Sequence, residues 1–246
     1  MTVPGSGRVA LVTGGSSGIG EEAARRLRYS GFTVYAVARR VERMQELADA
    51  GVHVFGMDVT EEASMTSGVD RLLAEQGRVD VRVNNAGYGS YGAVEDVAID
   101  EARRQFEVNL FGLARLTQLV TPTMRDQGAG RIVNVSSIGA VIYEPFGAWY
   151  HATKFAVEGF SDSLRVELRP FGIDVVIVRP GGIRTEWNTI ARESLVRSSQ
   201  GGAYEAMGAG AARRMASVDN RLFSSGPAAV GGGVVRAATA ERPRTR

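Results

Sequence analysis

Val9-Ala10-Leu11-Val12-Thr13-Gly14-Gly15-Ser16-Ser17-Gly18-Ile19-Gly20 joins an unbroken apolar run to a glycine turn, and that junction decides the fold. Four consecutive apolar residues with no polar alternation suit a strand buried on both faces, the habit of parallel sheets. A helical pattern over 21–29 follows at once, with Gly31 placed to end it. Strand, glycine turn and helix make a dinucleotide-binding arrangement. The glycines at 14, 18 and 20 let backbone approach a pyrophosphate, and the helix start offers free N–H groups and the positive end of its dipole. Ser16, Ser17 and Ile19 fill the turn and are expected against the same ligand. The spacing T-G-x-x-x-G-x-G differs from G-x-G-x-x-G, and by itself it is balanced by the plain reading of a tight loop.

Working outward, a second strand over 33–37 ends about where such folds display their nucleotide preference, roughly 20 residues past the turn. A carboxylate there would accept a ribose 2′-OH. The sequence reads Ala38-Arg39-Arg40 instead, with no acid to repel a phosphate and two guanidiniums able to bind one. NADP(H) is therefore expected over NAD(H); the plainer alternative is that the arginines simply open a helix over 41–50.

A third strand over 52–59 delivers Asp58 and Val59 toward the adenine, while His53, flanked by apolar residues, reads as structural. A helix over 61–76 leads to a fourth strand that runs into Asn84-Asn85-Ala86-Gly87, small and polar residues suited to a loop pressed against a flat ligand. Arg82 stands within that strand, where a charge must find a partner or reach solvent. Asp100 reads as the N-cap of a long helix to about residue 127 that carries Asn109, a poor helix former. A fifth strand over 130–135 presents Ser136 and Ser137 at its carboxyl end, where open α/β sheets bind ligands. After a loop containing Tyr143, Phe146 and Trp149 comes a helix to about Pro170, then a sixth strand over 173–178 that runs into Arg179-Pro180-Gly181-Gly182. Strand and helix alternate six times without an internal repeat, which predicts a single-domain α/β protein: a doubly wound Rossmann fold whose mostly parallel sheet is flanked by helices.

The helix after that loop begins Tyr150-His151-Ala152-Thr153-Lys154. Residues four apart lie on one helix face, so Tyr150 and Lys154 share a pocket. An ammonium about 4 Å from a phenol is worth ~4 kcal/mol at an effective dielectric of ~20, enough to draw the phenol well below its ordinary pKa of about 10 and make it a general acid and base. Lys154 is the only lysine in the chain. In a sequence that otherwise uses arginine, this singles out a position needing a compact point charge.

Composition bounds the rest. A chain of 246 residues, 44% hydrophobic and 23% charged, fits one large α/β domain. The net charge of +2 comes from arginines scattered among acids, so nucleic acid is not the expected partner. The absence of cysteine removes disulfides, thiolate metal sites and thiol nucleophiles, leaving no metal expected and the cytosol as the compartment. The first eight residues lack the pattern of a leader, and no apolar run approaches the ~20 residues of a membrane span.

Taken together, these motifs resemble those of the short-chain dehydrogenase/reductase family across roughly residues 8–190. Thr13-Gly14-x-x-x-Gly18-x-Gly20, Asp58-Val59, Asn84-Asn85-Ala86-Gly87, Asn109, Ser137, Tyr150-x-x-x-Lys154 and Pro180-Gly181 with Thr185 occur in the family's order. The resemblance implies that Tyr150 is the acid/base, that Ser137 bonds the substrate carbonyl oxygen, and that Lys154 lowers the Tyr150 pKa and holds the nicotinamide ribose. It implies that Asn109 anchors a relay water and that Asn85, Ala86, Gly87, Pro180, Gly181, Ile183 and Thr185 line the cofactor. The expected activity is hydride transfer between NADP(H) and a carbonyl or secondary alcohol, in a homo-dimer or homo-tetramer.

A cofactor-binding sensor without turnover is the alternative, disfavoured because binding alone needs no acid; a hydrolase built on Ser137 fails for want of a catalytic base. Tyr88, Tyr91, Ile138, Tyr143, Trp149 and Trp187, with a lid over residues 182–222, are expected to shape an apolar pocket for a hydrophobic carbonyl compound of steroid-like or retinoid-like kind. Three features depart from the family pattern: Arg82 in place of an aliphatic residue, Gly231-Gly232-Gly233 inside an expected helix, and an end at Arg246 about where a seventh strand would start. The last leaves an open sheet edge and a trimmed chain among the expectations.

Overall fold

Val9–Thr13 (β1) lies at the centre of a six-stranded parallel sheet, and all five of its residues are buried. In the computed structural model residues 7–217 and 224–246 are described; residues 1–6 and 218–223, which include the expected end of the lid, lie outside them. After β1 the chain continues through Gly18–Tyr29 (α1), Thr33–Ala38 (β2), Gln45–Asp49 (α2), His53–Gly56 (β3), Glu62–Gln76 (α3) and Val81–Asn84 (β4). Ile99–Phe106 (α4), Gly112–Asp126 (α5), Gly130–Val135 (β5), Ala148–Leu168 (α6) and Ile173–Val178 (β6) complete the sheet. The strand order is β3-β2-β1-β4-β5-β6, with every neighbour parallel. The order reverses between β1 and β4, and ligands of such sheets sit in the crevice outside the strand ends at that reversal.

One face of the sheet packs Val12, Val34, Ala36, Val81 and Val83 against Ala23, Ala24 and Leu27 of α1. The other packs Leu11, Tyr35 and Ile132 against Leu72, Leu116 and Val120 of α3 and α5. Three local expectations need correction. The helix expected over 41–50 is a 3₁₀ turn, Val41–Met44, followed by the short α2. The helix attributed to Asp100 is capped at Ala98 instead, and Asp100 sits in the first turn paired with Arg103. That long helix is not uniform either: Glu107–Phe111 forms a π turn containing Asn109 between α4 and α5. Such turns break the regular ladder and recur at functional sites.

Beyond β6 lie Glu186–Ser199 (α7), Glu205–Ser217 (α8) and Pro227–Thr239 (α9). The glycine run falls in α9, where a Cβ on Gly231 would press within 2.7 Å of Glu22 Cγ. Gly231 thus lets α9 seat closely on α1, a reason for glycine that periodicity alone conceals. The edge of β6 is met near the end of the chain, where the Ile177 N–H donates to the Thr245 carbonyl at 2.9 Å.

Arg82 is wholly buried, and among the described residues it pairs with no acid. Its Nη1 donates to the Val83 carbonyl at 2.8 Å and the Leu11 carbonyl at 3.2 Å, its Nη2 lies 3.5 Å from Thr13 Oγ1, and its Nε has no partner. Burial alone pushes the guanidinium down to about 9. The partner the sequence called for is thus backbone and a hydroxyl, which satisfy donors but do not balance charge.

Candidate active site

The carboxyl ends of β1, β2, β4, β5 and β6 open into one cleft of about 770 Å³, within the range of cofactor and ligand sites. Its floor is the glycine turn. A Cβ on Gly20 would overlap the Gly14 carbonyl and Asn85 Nδ2, so the turn can close only over glycine. Ser17 caps α1 in extended conformation without a side-chain bond, which leaves first-turn N–H groups open to an anion. Gly14, Ser16, Ser17, Gly18 and Ile19 line the cleft, whereas Gly20 lies behind them. Asn85 Nδ2 donates to the Thr13 carbonyl at 3.1 Å, and Thr13 Oγ1 accepts from the Asn85 and Ala86 N–H groups at 3.2 Å, so the loop after β4 is tied to the end of β1.

The open N–H groups, the glycine floor and the flat Asn85-Ala86-Gly87 wall fit a dinucleotide laid across the sheet. Asp58, Val59, Pro180, Gly181, Ile183 and Thr185 also face the cleft. Asp58 Oδ1 accepts from the Thr60 N–H and hydroxyl, and its Oδ2 stands 4.0 Å from Arg39 Nη1. Arg40 and Arg43 both reach the Glu186 carboxylate, at 3.0 and 2.5 Å, and Arg40 Nη2 also lies 3.5 Å from Ser16 Oγ. Arg43, then Arg40, hold the Glu186 carboxyl below its ordinary range.

Tyr150 and Lys154 come from one face of α6, both nearly buried and both lining the cleft. The Ser137 hydroxyl, fixed at the end of β5 by accepting the Gly139 N–H at 3.0 Å, lines the cleft beside the Tyr150 phenol and favours its ionised form. Lys154, expected to lower the Tyr150 pKa, is not among the groups that shift it. The ammonium is 5.9 Å from the Tyr150 ring centre and donates to the Val135 carbonyl at 3.0 Å. Burial pushes Lys154 down to about 8. Tyr150 is pushed up to about 12, first by burial and then by the nearby Glu144 charge, against the opposing Ser137 hydroxyl. Desolvation is the largest influence on both groups.

Asn109 does not line the cleft. Its Oδ1 accepts the Tyr88 N–H at 3.0 Å, and its Nδ2 donates to the Tyr88 carbonyl at 2.9 Å and to Thr153 Oγ1 at 3.1 Å. The side chain therefore clamps the loop after β4 onto α6, with both amide hydrogens used and one acceptor site of Oδ1 remaining. Of the residues expected to contact substrate, Ser137 and Trp187 line the cleft, but Tyr143 and Trp149 do not. Tyr143 is 88% exposed at a loop tip. Trp149 precedes Tyr150 by one residue, about 100° around the helix, and so faces elsewhere.

The sequence did not single out Glu144 and His151. The Tyr91 hydroxyl donates to Glu144 Oε1 at 3.0 Å, and the Glu144 N–H donates to His151 Nε2 at 3.2 Å. His151 Nδ1 meets the Gly139 carbonyl at 2.8 Å, so one imidazole fastens the loop between β5 and α6 to the helix at two points. No motif marks these residues, and a lone acid in a loop is the commonest surface residue of all. Trp187 from α7 closes the site, its ring centre 4.8 Å from that of Tyr150 and tilted 55° to it, and it is seated over Gly89, where a Cβ would overlap its indole.

A glycine-turn nucleotide cleft with a half-buried Ser and a buried Tyr and Lys at the sheet's carboxyl edge defines a nucleotide-dependent oxidoreductase. The chain belongs to the short chain dehydrogenase family, whose profile matches residues 8–195. It is 41% identical over 191 residues to the uncharacterized oxidoreductase YusZ of Bacillus subtilis, an alignment that takes in 74% of this chain and 68% of that protein. It is 40% identical over 179 residues to the 3-ketodihydrosphingosine reductase of Bacteroides thetaiotaomicron, covering 72% of this chain and 65% of the relative. The crystal structure of a short-chain dehydrogenase from Streptomyces avermitilis superposes with a TM-score of 0.83 at 35% identity, covering 97% of this chain and 86% of that one. Solved proteins of this fold carry NAD in some cases and NADP in others. No helix among the described residues is long and apolar enough to cross a membrane.

Proposed function

We propose that the protein transfers hydride between NADP(H) and a hydrophobic ketone or secondary alcohol, with Tyr150 as acid and base. The observation that carries this reading is the burial of the Tyr150 phenol in the cleft, beside Ser137 and on the same helix face as Lys154. Ala38, Arg39 and Arg40 support NADP(H), since the ribose end of the cleft offers guanidiniums and, among these three residues, no acid. The cofactor's contribution when bound is the hydride delivered to the carbonyl carbon. Gly14, Ser16, Ser17, Gly18, Ile19, Asp58, Val59, Asn85, Ala86, Gly87, Pro180, Gly181, Ile183 and Thr185 would hold it, with Lys154 on the nicotinamide ribose.

Ser137 orients the carbonyl oxygen, and Tyr150 gives it a proton. A phenol pushed up to about 12 keeps that proton at neutral pH, which suits the reducing direction. Asn109 acts here by holding Tyr88 against α6, and a relay water would rest on backbone freed by the π turn rather than on its amide hydrogens. Ile138, Ile142, Pro145, Ile190 and Met215 make the substrate end apolar, and a relative named for a keto substrate supports the class. Tyr91, Trp187 and α7 close over it. A homo-oligomer in the cytosol is the expected setting.

A panel of apolar ketones should include one that drives loss of NADPH absorbance, faster with NADPH than with NADH. Tight NADPH binding with no turnover across aliphatic, alicyclic and aromatic ketones would favour the silent sensor.

Glu144 gives the reading a pH signature. Its charge raises the Tyr150 pKa, so Glu144→Gln lowers it. Alcohol oxidation requires the deprotonated phenol and rises with pH through that pKa. The rise should therefore move to lower pH in the variant, and an unmoved profile would remove Glu144 from the phenol's electrostatics.

A further inference from the structure

Glu186 opens α7 directly after Thr185, yet its carboxylate is held by the segment that follows β2, from the opposite wall of the cleft. Arg40 and Arg43 reach it together, and Arg40 extends on toward Ser16 of the glycine turn. That point is where a dinucleotide fold meets the ribose 2′ position. Two guanidiniums suited to a phosphate are thus already occupied, and their occupant is an anion of this chain.

We propose that Glu186 is a specificity-determining residue that competes with the cofactor's 2′-phosphate for Arg40 and Arg43. The proposal rests on the NADP(H) reading. All three side chains are about 40–45% exposed, so the carboxylate pairs are half-hydrated and weakly held. A phosphate dianion offers more acceptor oxygens and more charge, and guanidiniums bind it through paired N–H donors. It displaces the carboxylate but must also tolerate Glu186 as a like-charged neighbour. A ribose bearing only a hydroxyl has nothing to exchange, and the Glu186 pairs stay closed beside it. The carboxylate therefore works against NADP(H) without helping NAD(H), and it narrows a preference that the arginines alone would make wider. An acid in a first helical turn also favours the helix dipole, but that role is blind to the 2′-phosphate.

The test is equilibrium titration of NADPH and NADH by cofactor fluorescence, with 2′,5′-ADP and 5′-AMP as competing probes, on the parent, Glu186→Gln and Arg40→Ala. Glu186→Gln should bind NADPH and 2′,5′-ADP roughly threefold to tenfold more tightly and shift NADH and 5′-AMP less than about twofold. Arg40→Ala should weaken the two 2′-phosphorylated ligands selectively. Should Arg40→Ala behave so while Glu186→Gln weakens all four ligands alike or changes none, Glu186 is only a lid fastening or a helix-end acid, and the proposal falls while the NADP(H) reading stands. Should Arg40→Ala leave the NADPH to NADH ratio as it was, the 2′-phosphate site is misplaced and both fall.

Discussion

Tyr150→Phe is expected to lose roughly 10²–10⁴-fold in kcat/KM for carbonyl reduction, the range a positioned general acid supplies, while still binding NADPH. The ring it keeps is the part that packs: Tyr150 lies 5.8 Å from Tyr91 and 4.8 Å from Trp187, centre to centre, and phenylalanine preserves both contacts. What it loses is one hydroxyl in the cleft beside Ser137. A single hydrogen bond limits the change in NADPH affinity to about tenfold. The structure also predicts no penalty in folding, because a phenol that stays neutral at working pH brings no charge into the core. Single-turnover kinetics at saturating NADPH separate the two effects, since the defect should lie in the chemical step and not in cofactor capture. A variant within tenfold of the parent would take Tyr150 out of proton transfer. The pH profile offers a second check, for the rise in alcohol oxidation attributed to the phenol should vanish with it.

The parts of the site that were legible in advance are those fixed by local chemistry. The apolar run into Gly14, Gly18 and Gly20 announces β1, the turn and α1, and each strand from Thr33 to Val178 begins or ends within a few residues of its expected place. That Tyr150 and Lys154 share one helix face follows from their spacing, and α6 carries both. Illegible were the features set by distant parts of the chain. Glu186 meets Arg43 across 143 residues, and nothing near either one advertises it. Tyr143 and Trp149 looked like substrate contacts because they are aromatic and close to Tyr150, but the direction of a side chain from a loop tip or a neighbouring helical position is not encoded by proximity in sequence. The effect of Lys154 on Tyr150 was anticipated from charge without the desolvation that burial of both groups brings.

Arg82→Met should raise stability by about 1–4 kcal/mol at pH 7, the gain seen when buried charges give way to apolar residues of similar volume. At roughly 2–4 °C per kcal/mol for a domain of this size, the melting temperature should rise correspondingly. Arg82 is 0% exposed and faces Leu11 and Ile132 across the ladder in the apolar layer beneath α3 and α5. Methionine, unbranched and adaptable, can follow much of the same path. The carbonyls that Arg82 now meets, those of Leu11 and Val83, belong to central strands paired on both sides, and Thr13 Oγ1 keeps its Asn85 and Ala86 N–H donors. Losing the guanidinium therefore strands few acceptors, while its cost in desolvation disappears. The sign of the pH dependence follows from the same burial. With the folded guanidinium held at about 9, below its ordinary value, the unfolded chain holds more protons than the native one from about pH 9 upward. Parent stability attributable to Arg82 therefore improves as pH rises above about 9, and the advantage of Arg82→Met shrinks over the same range. Urea melts of both proteins at pH 7 and near pH 10 measure it. A variant less stable than the parent at pH 7 would show that the three donated bonds outweigh the buried charge, making Arg82 the tie between β1 and β4 and no longer a burden on the sheet.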